Sequence, residues 1–341
     1  MRVVIGLAAA GIVSVCVGGA VWMVSAASPP EKVQAAEKTL AAAAPAAPAA
    51  QLAAKADPLA DVTGTVPASE PKPAPAPAKR ACANPNALGI GRVVEIDTTG
   101  GPGFGFEHFK QLDFLADKEV VLTFDDGPWP VNTPAVLKAL ADECTTGIFF
   151  AVGKHATYHP DILRQVAAAG HTVGSHTWSH VNLNKKGMTE QQAKDEIEKG
   201  FSAVRLALGA APAPFFRFPQ LQHPPAMVTY LGTRDIAMFS CDLDSFDFKA
   251  STPDKIVETV MTKVNKLGKG IILMHDFQKH TAEALPTLLS RLKAGGYKVV
   301  QMKAKMPLQT LAQYDAEVVK DAKLPTISSR PVSSVVQTVG N

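Results

Sequence analysis

From residue 118 onward, short β-rich runs alternate with amphipathic stretches, and this alternation constrains the fold more than any other feature of the chain. The runs are 119–124, 146–152, 171–175, 215–218, 236–240, 270–274 and 297–301, which makes about seven strands. Alternation of this kind calls for parallel strands joined by crossover helices, hence an α/β domain of the barrel kind. Helix signals fall between the runs. Thr133 followed by Pro134 reads as an N-cap and first helical position, with Val136, Leu137 and Leu140 on one apolar face. Thr189 with Gln192 makes a capping box, and Gly170 and Gly209 sit where helices should stop.

Polar residues cluster where these runs end. Asp125 and Asp126 follow the first run, His176 and His180 the third, and Arg217 ends the fourth. Asp242, Asp244 and Asp247 follow the fifth, and His275 with Asp276 the sixth. In a parallel barrel such ends converge on one mouth, where active sites sit. Taken singly, each has an ordinary explanation: Asp125-Asp126-Gly127-Pro128 suits a turn, and paired histidines recur on surfaces. Arg217 between Phe216 and Phe218 needs an anionic partner, catalytic or structural. Their joint placement at strand ends points to a site.

Thr123-Phe124-Asp125-Asp126-Gly127 and His176-Thr177-Trp178-Ser179-His180 resemble the first two motifs of the polysaccharide deacetylases of the NodB-homology type, carbohydrate esterase family 4. Arg217-Phe218-Pro219, Asp244-Ser245-Phe246-Asp247-Phe248 and Leu273-Met274-His275 resemble the third, fourth and fifth, in the family's order. The resemblance covers 118–301 and implies a distorted (β/α) barrel.

It also implies roles. Asp126, His176 and His180 become ligands of a divalent metal, Zn²⁺ first and Co²⁺ as the alternative. Asp125 becomes the general base, with Arg217 orienting it; His275 protonates the leaving amine, and Asp244 positions that histidine, with Asp247 the weaker candidate. The backbone N–H of Gln220 takes the place of the oxyanion donor, and Trp178 and Phe248 become apolar walls for a sugar ring. Two positions depart from the family pattern: Gln220 replaces an aromatic and Phe248 a tryptophan, which bears on the groove more than on the chemistry. The implied activity is removal of N-acetyl groups from an N-acetylglucosamine-containing polysaccharide such as peptidoglycan, a chitin-like oligomer or exopolysaccharide. Competing readings are a carbohydrate-binding protein without turnover, a hydrolase of non-sugar amides, and an anchored scaffold.

The remainder of the 341 residues reads as delivery and spacing. No charge interrupts 3–30, so 1–30 reads as an export signal; it is long enough to remain as a membrane anchor, while Ser25, Ala26 and Ala27 also suit cleavage. Residues 31–80 are an Ala/Pro-rich linker, 81–310 the catalytic domain and 311–341 a tail. The expected location is the periplasm or cell envelope, on an N-acetylated glycan. Net charge is only +3 with scattered basic residues, which argues against nucleic acid, and no pattern identifies a protein partner. Cys82, Cys144 and Cys241 allow one disulfide after export, with three pairings and free thiols all open; Cys82 with Cys144 would pin the domain's start to its first helix.

Overall fold

The computed structural model of the chain describes residues 82–110 and 112–322; the expected export signal at 1–30, the expected linker at 31–80 and the part of the expected tail from 323 on lie outside the described residues. Among the described residues no helix is long and apolar enough to cross a membrane. The strands are β1 Arg92–Ile96, β2 Gly103–Phe104, β3 Glu119–Asp125, β4 Ile148–Ala151, β5 Thr172–Ser175, β6 Phe215–Arg217, β7 Ala237–Phe239, β8 Leu243–Asp244, β9 Gly270–His275 and β10 Lys298–Ala304. The helices are α1 Asn132–Asp142, α2 Gly153–Tyr158, α3 Pro160–Ala168, α4 Glu190–Leu208, α5 Pro225–Thr233, α6 Pro253–Leu267, α7 Lys279–Ala294 and α8 Ala312–Ala322.

Every strand pairing is parallel, giving the lateral order β2-β7-β6-β5-β4-β3-β9-β8, with β10 on the start of β3 and β1 outside β10. All seven expected strands are present as β3 to β7, β9 and β10, and the arrangement is the expected α/β barrel type. Among the described residues no ladder joins β2 to β8. The Asp242 side chain reaches across the gap, its carboxylate accepting from Phe106 N and Ile271 N, each at 2.6 Å.

Period-two alternation sorts the strand residues into two cores. Val120, Leu122, Phe124, Phe149, Ile272 and Met274 face outward and pack with Val136, Leu140, Val260 and Leu288 of the surrounding helices. Val121, Ile148, Phe150, Phe215, Phe239 and Ile271 face inward and fill the barrel. Phe239 is the hub of that filling, with Phe104, Phe150 and Phe215 ring centroids 5.1, 5.3 and 4.9 Å away.

The capping box at α4 is present, with Gln192 N donating to Thr189 Oγ1 at 3.2 Å and Thr189 N to Gln192 Oε1 at 3.0 Å. Gly209 closes α4 in the left-handed conformation at φ 68°, and Gly170 at φ 90° follows α3. Thr133 is not the N-cap of α1. The helix already includes Asn132, Val131 precedes it without a side-chain cap, and the Thr133 hydroxyl is spent on Asp276 and on Trp129 N. The chain beyond 310, assigned to the tail by composition, carries α8, whose Tyr314 and Val318 are buried and whose Tyr314 hydroxyl donates to Asp195 at 2.6 Å. Of the three possible cysteine pairings the structure has Cys82–Cys144, with Cα atoms 5.7 Å apart, and Cys241 is free and buried.

Candidate functional site

Strand parity carries a polar layer to the mouth of the barrel. Thr123 and Asp125 continue the inward series that begins at Val121, Arg217 lies two residues past Phe215, and Asp125 stands opposite His275 in the β3–β9 register. Arg217 is fully buried above the Phe150 ring, its guanidinium carbon 4.4 Å from the centroid. It donates to Asp125 Oδ1 at 2.7 Å, Thr123 Oγ1 at 2.8 Å and Ser240 O at 2.8 Å. The fork therefore fixes the Asp125 carboxylate from one side and neutralises a charge that burial would otherwise penalise.

One residue further, Asp126 adopts φ 74°, which turns its side chain out of the strand series and into the mouth. Thr177 and His180 also have positive φ, 67° and 59°, so the chain after β5 folds back on itself and brings His180 beside His176. Possible ligand atoms of Asp126, His176 and His180 all lie within 4.8 Å of one another. His176 Nδ1 lies 2.7 Å from Arg217 O, a geometry that assigns the proton to Nδ1 and leaves Nε2 bare, 3.5 Å from Asp126 Oδ1. Burial holds the His176 pKa below its ordinary value, overriding Asp125 and Asp126, so the ring is kept in the neutral form that binds metals. His180 Nε2 is 3.2 Å from the same Asp126 oxygen, which is itself buried with no hydrogen-bond partner. An orphaned carboxylate oxygen facing two imidazole nitrogens is a donor set that fits a divalent cation of the zinc type.

His275 ends β9 on the far side of Asp125. Its Nδ1 lies 2.6 Å from Asp247 Oδ1, and its backbone N donates to Asp247 Oδ2 at 2.7 Å. The partner is thus Asp247 and not Asp244, whose Oδ1 accepts from Phe246 N at 2.8 Å. The reason is local: Phe246 sits at φ 53°, and the 3₁₀ turn Asp247–Lys249 that follows swings Asp247 beneath the imidazole. Burial lowers the pKa of His275, but the bond to Asp247 and the charges of Asp247, Asp126 and Asp125 outweigh it and raise it to about 10. Phe248 stands at the rim, 48% exposed, its ring edge-on to His275 at 5.7 Å.

Gln220 lies in a tight turn at φ 57°, with its side-chain oxygen accepting from Asn182 at 2.8 Å, so the side chain is turned to a neighbouring loop. Trp178 is not part of the mouth. The positive φ of Thr177 sends it away from His176, onto Gly153 and beneath Lys199 Nζ at 4.7 Å, where it lines a cleft of about 700 Å³ with residues of α4 and α8. Two residues near the centre carry no signal in the sequence, His155, whose Nδ1 lies 2.6 Å from Asp126 O, and Trp129, 39% exposed against His155; Asp276, named above only as a strand-end carboxylate, is buried behind Gly127.

Comparison with known proteins finds similarity to one kind of protein. The polysaccharide deacetylase sequence profile matches residues 115–236. A chitooligosaccharide deacetylase of Sinorhizobium fredii is 30% identical over 55% of this chain and 95% of its own length. The peptidoglycan-N-acetylglucosamine deacetylase PgdA of Listeria monocytogenes is 32% identical over 54% of this chain, and the match spans 38% of that protein. Among solved structures, a peptidoglycan deacetylase of Bdellovibrio bacteriovorus aligns with a TM-score of 0.59 at 32% identity, over 67% of this chain and 63% of that one.

Proposed function

Because this chain belongs to the polysaccharide deacetylase family, of NodB homology, we propose that it is a metal-dependent hydrolase that removes N-acetyl groups from an N-acetylglucosamine-containing polysaccharide outside the cytoplasmic membrane. The observation that carries this reading is the gathering of Asp126, His176 and His180 at the same strand ends as two separately partnered groups, Asp125 on Arg217 and His275 on Asp247. A divalent cation bound to the three, Zn²⁺ or Co²⁺, would supply a Lewis acid for the acetamide carbonyl and acidify water. Asp125, held in place by Arg217, takes the proton of the attacking water. The backbone N–H of Gln220 stabilises the tetrahedral oxyanion, and His275, kept protonated by Asp247, delivers its proton to the departing amine nitrogen. Phe248 forms the apolar wall beside it.

Relatives named for peptidoglycan and for chitooligosaccharides support a glycan substrate, and the apolar segment at 3–30 together with the Cys82–Cys144 disulfide supports export to the envelope. The test is acetate release from N-acetylglucosamine oligomers and from peptidoglycan by the full-length protein, stripped of metal and resupplied with Zn²⁺ or Co²⁺, beside Asp125→Asn. Release that needs metal and is lost in the variant upholds the reading. Glycan binding without release makes the protein a carbohydrate-binding module, and neither binding nor release removes the glycan assignment.

A further inference from the structure

Asp276 is a carboxylate that the chemistry above does not use, yet it is only 1% exposed. Burial raises its pKa to about 7 against the lowering influence of Thr133 and Gly127, with Asp126 adding to the rise. Groups of this kind are costly to bury and persist where they hold something in place. Asp276 holds the segment around Asp126 on both sides. Its backbone N donates to Asp125 O at 3.3 Å, and its Oδ1 accepts from Gly127 N at 3.0 Å. Its Oδ2 accepts from the Thr133 hydroxyl, which in turn accepts from Trp129 N at 2.8 Å. Asp126 is therefore bracketed by two residues that the same aspartate grips, and the turn beyond it is fastened through Thr133.

The bracket has a reason. Asp126 is a non-glycine residue at φ 74°, an uncommon conformation that costs backbone energy even where an aspartate tolerates it. Its own carbonyl is held by His155. Gly127 leaves room for the grip, since a Cβ there would lie 2.0 Å from Asp276 Oδ2.

We propose that Asp276 is a positioning residue that keeps Asp126 in the one backbone conformation from which its carboxylate meets His176 and His180, and that it ties this ligand rigidly to His275, its neighbour in the chain. The proposal rests on the reading of Asp126, His176 and His180 as metal ligands. It assigns Asp276 no contact with substrate or metal.

The experiment measures Zn²⁺ affinity of the full-length apo-protein by competition with a chromophoric chelator, for wild type, Asp276→Ala, Asp276→Asn and Thr133→Val, with thermal unfolding of each apo-protein alongside. Outer partners of metal ligands typically govern affinity by about 10- to 100-fold, so Asp276→Ala should weaken Zn²⁺ binding by that factor. Asp276→Asn, which retains an acceptor for Gly127 N, should weaken it less, as should Thr133→Val. The two milder variants keep the test alive if the alanine variant does not fold. A purely structural role would lower the unfolding temperature and leave the affinity of folded molecules within twofold of wild type, and that result would overturn the proposal. Wild-type protein that binds Zn²⁺ no better than Asp126→Ala would overturn it together with the metal assignment. Tight Zn²⁺ binding without acetate release from any glycan would sink the deacetylase reading alone, and the affinity ratios would still decide the role of Asp276.

Discussion

Asp247 meets His275 twice, through the imidazole Nδ1 at 2.6 Å and through the backbone N at 2.7 Å, and its second oxygen also takes the Thr281 hydroxyl. A histidine held this way has its orientation and its proton set by one buried carboxylate. Asp247→Asn should accordingly lower kcat by about 10²- to 10⁴-fold, the usual worth of a positioned acid. Asp244→Asn should cost less than about tenfold, because that carboxylate caps Phe246 N instead. Steady-state kinetics of the two variants on one oligomer would separate them.

The same pair predicts a pH effect. His275 has a raised pKa, about 10, so its favourable interaction is fully present below the ordinary histidine value and is lost as pH rises through about 10. The acid form should persist across neutral pH, and the alkaline limb of the rate profile should move to lower pH in Asp247→Asn. An unmoved limb would remove His275 as the titrating acid.

On the acid side the sign reverses. His171 is held at about 4 by burial alone and accepts from Gly147 N at 3.2 Å as a neutral ring; His223 is also at about 4, chiefly through burial. Groups with lowered values contribute stability that is complete above the unfolded histidine value and lost as pH falls through the folded one. The unfolding temperature should drop between about pH 6.5 and pH 4, and His171→Gln should flatten that slope.

Arg217→Met should destabilise the protein by about 3–5 kcal/mol, because it leaves the buried Asp125 carboxylate without its counter-charge. Arg217→Lys keeps the charge but loses the fork to Thr123 and Ser240, so it should recover stability in part and activity less. Denaturant unfolding and kcat together would read both.

Phe248→Ala should raise KM for glycan oligomers by several-fold through loss of an apolar contact worth about 1–2 kcal/mol, whereas Trp178→Ala should affect KM less, since its ring lies under Lys199 away from the mouth. Equal effects from the two would contradict the separation seen in the structure.

What the sequence made legible was whatever follows from periodicity. The buried parallel strands β3 to β7, β9 and β10 are apolar on both faces or alternate cleanly, so they announce themselves, and residues at their ends fall at one mouth by topology. β2 and β8 have two residues each and β1 is largely exposed, so none leaves a periodic trace. The choice between Asp244 and Asp247 depends on one left-handed residue, Phe246, which spacing does not reveal. Trp178 shows the same effect: it stands only two residues from His176, but the left-handed Thr177 between them turns it onto Gly153 and beneath Lys199. Thr133 looked like a cap because Pro134 follows it; its hydroxyl does serve a backbone N–H, but that of Trp129 on the preceding turn.

The phenylalanines packed inside the barrel make the mouth a blind well. Phe150 lies directly beneath Arg217, with Phe239 and Phe215 packed behind it, so the barrel is filled below the polar layer. Anything that reaches Arg217 and Asp125 must therefore arrive over the rim and leave by the same side.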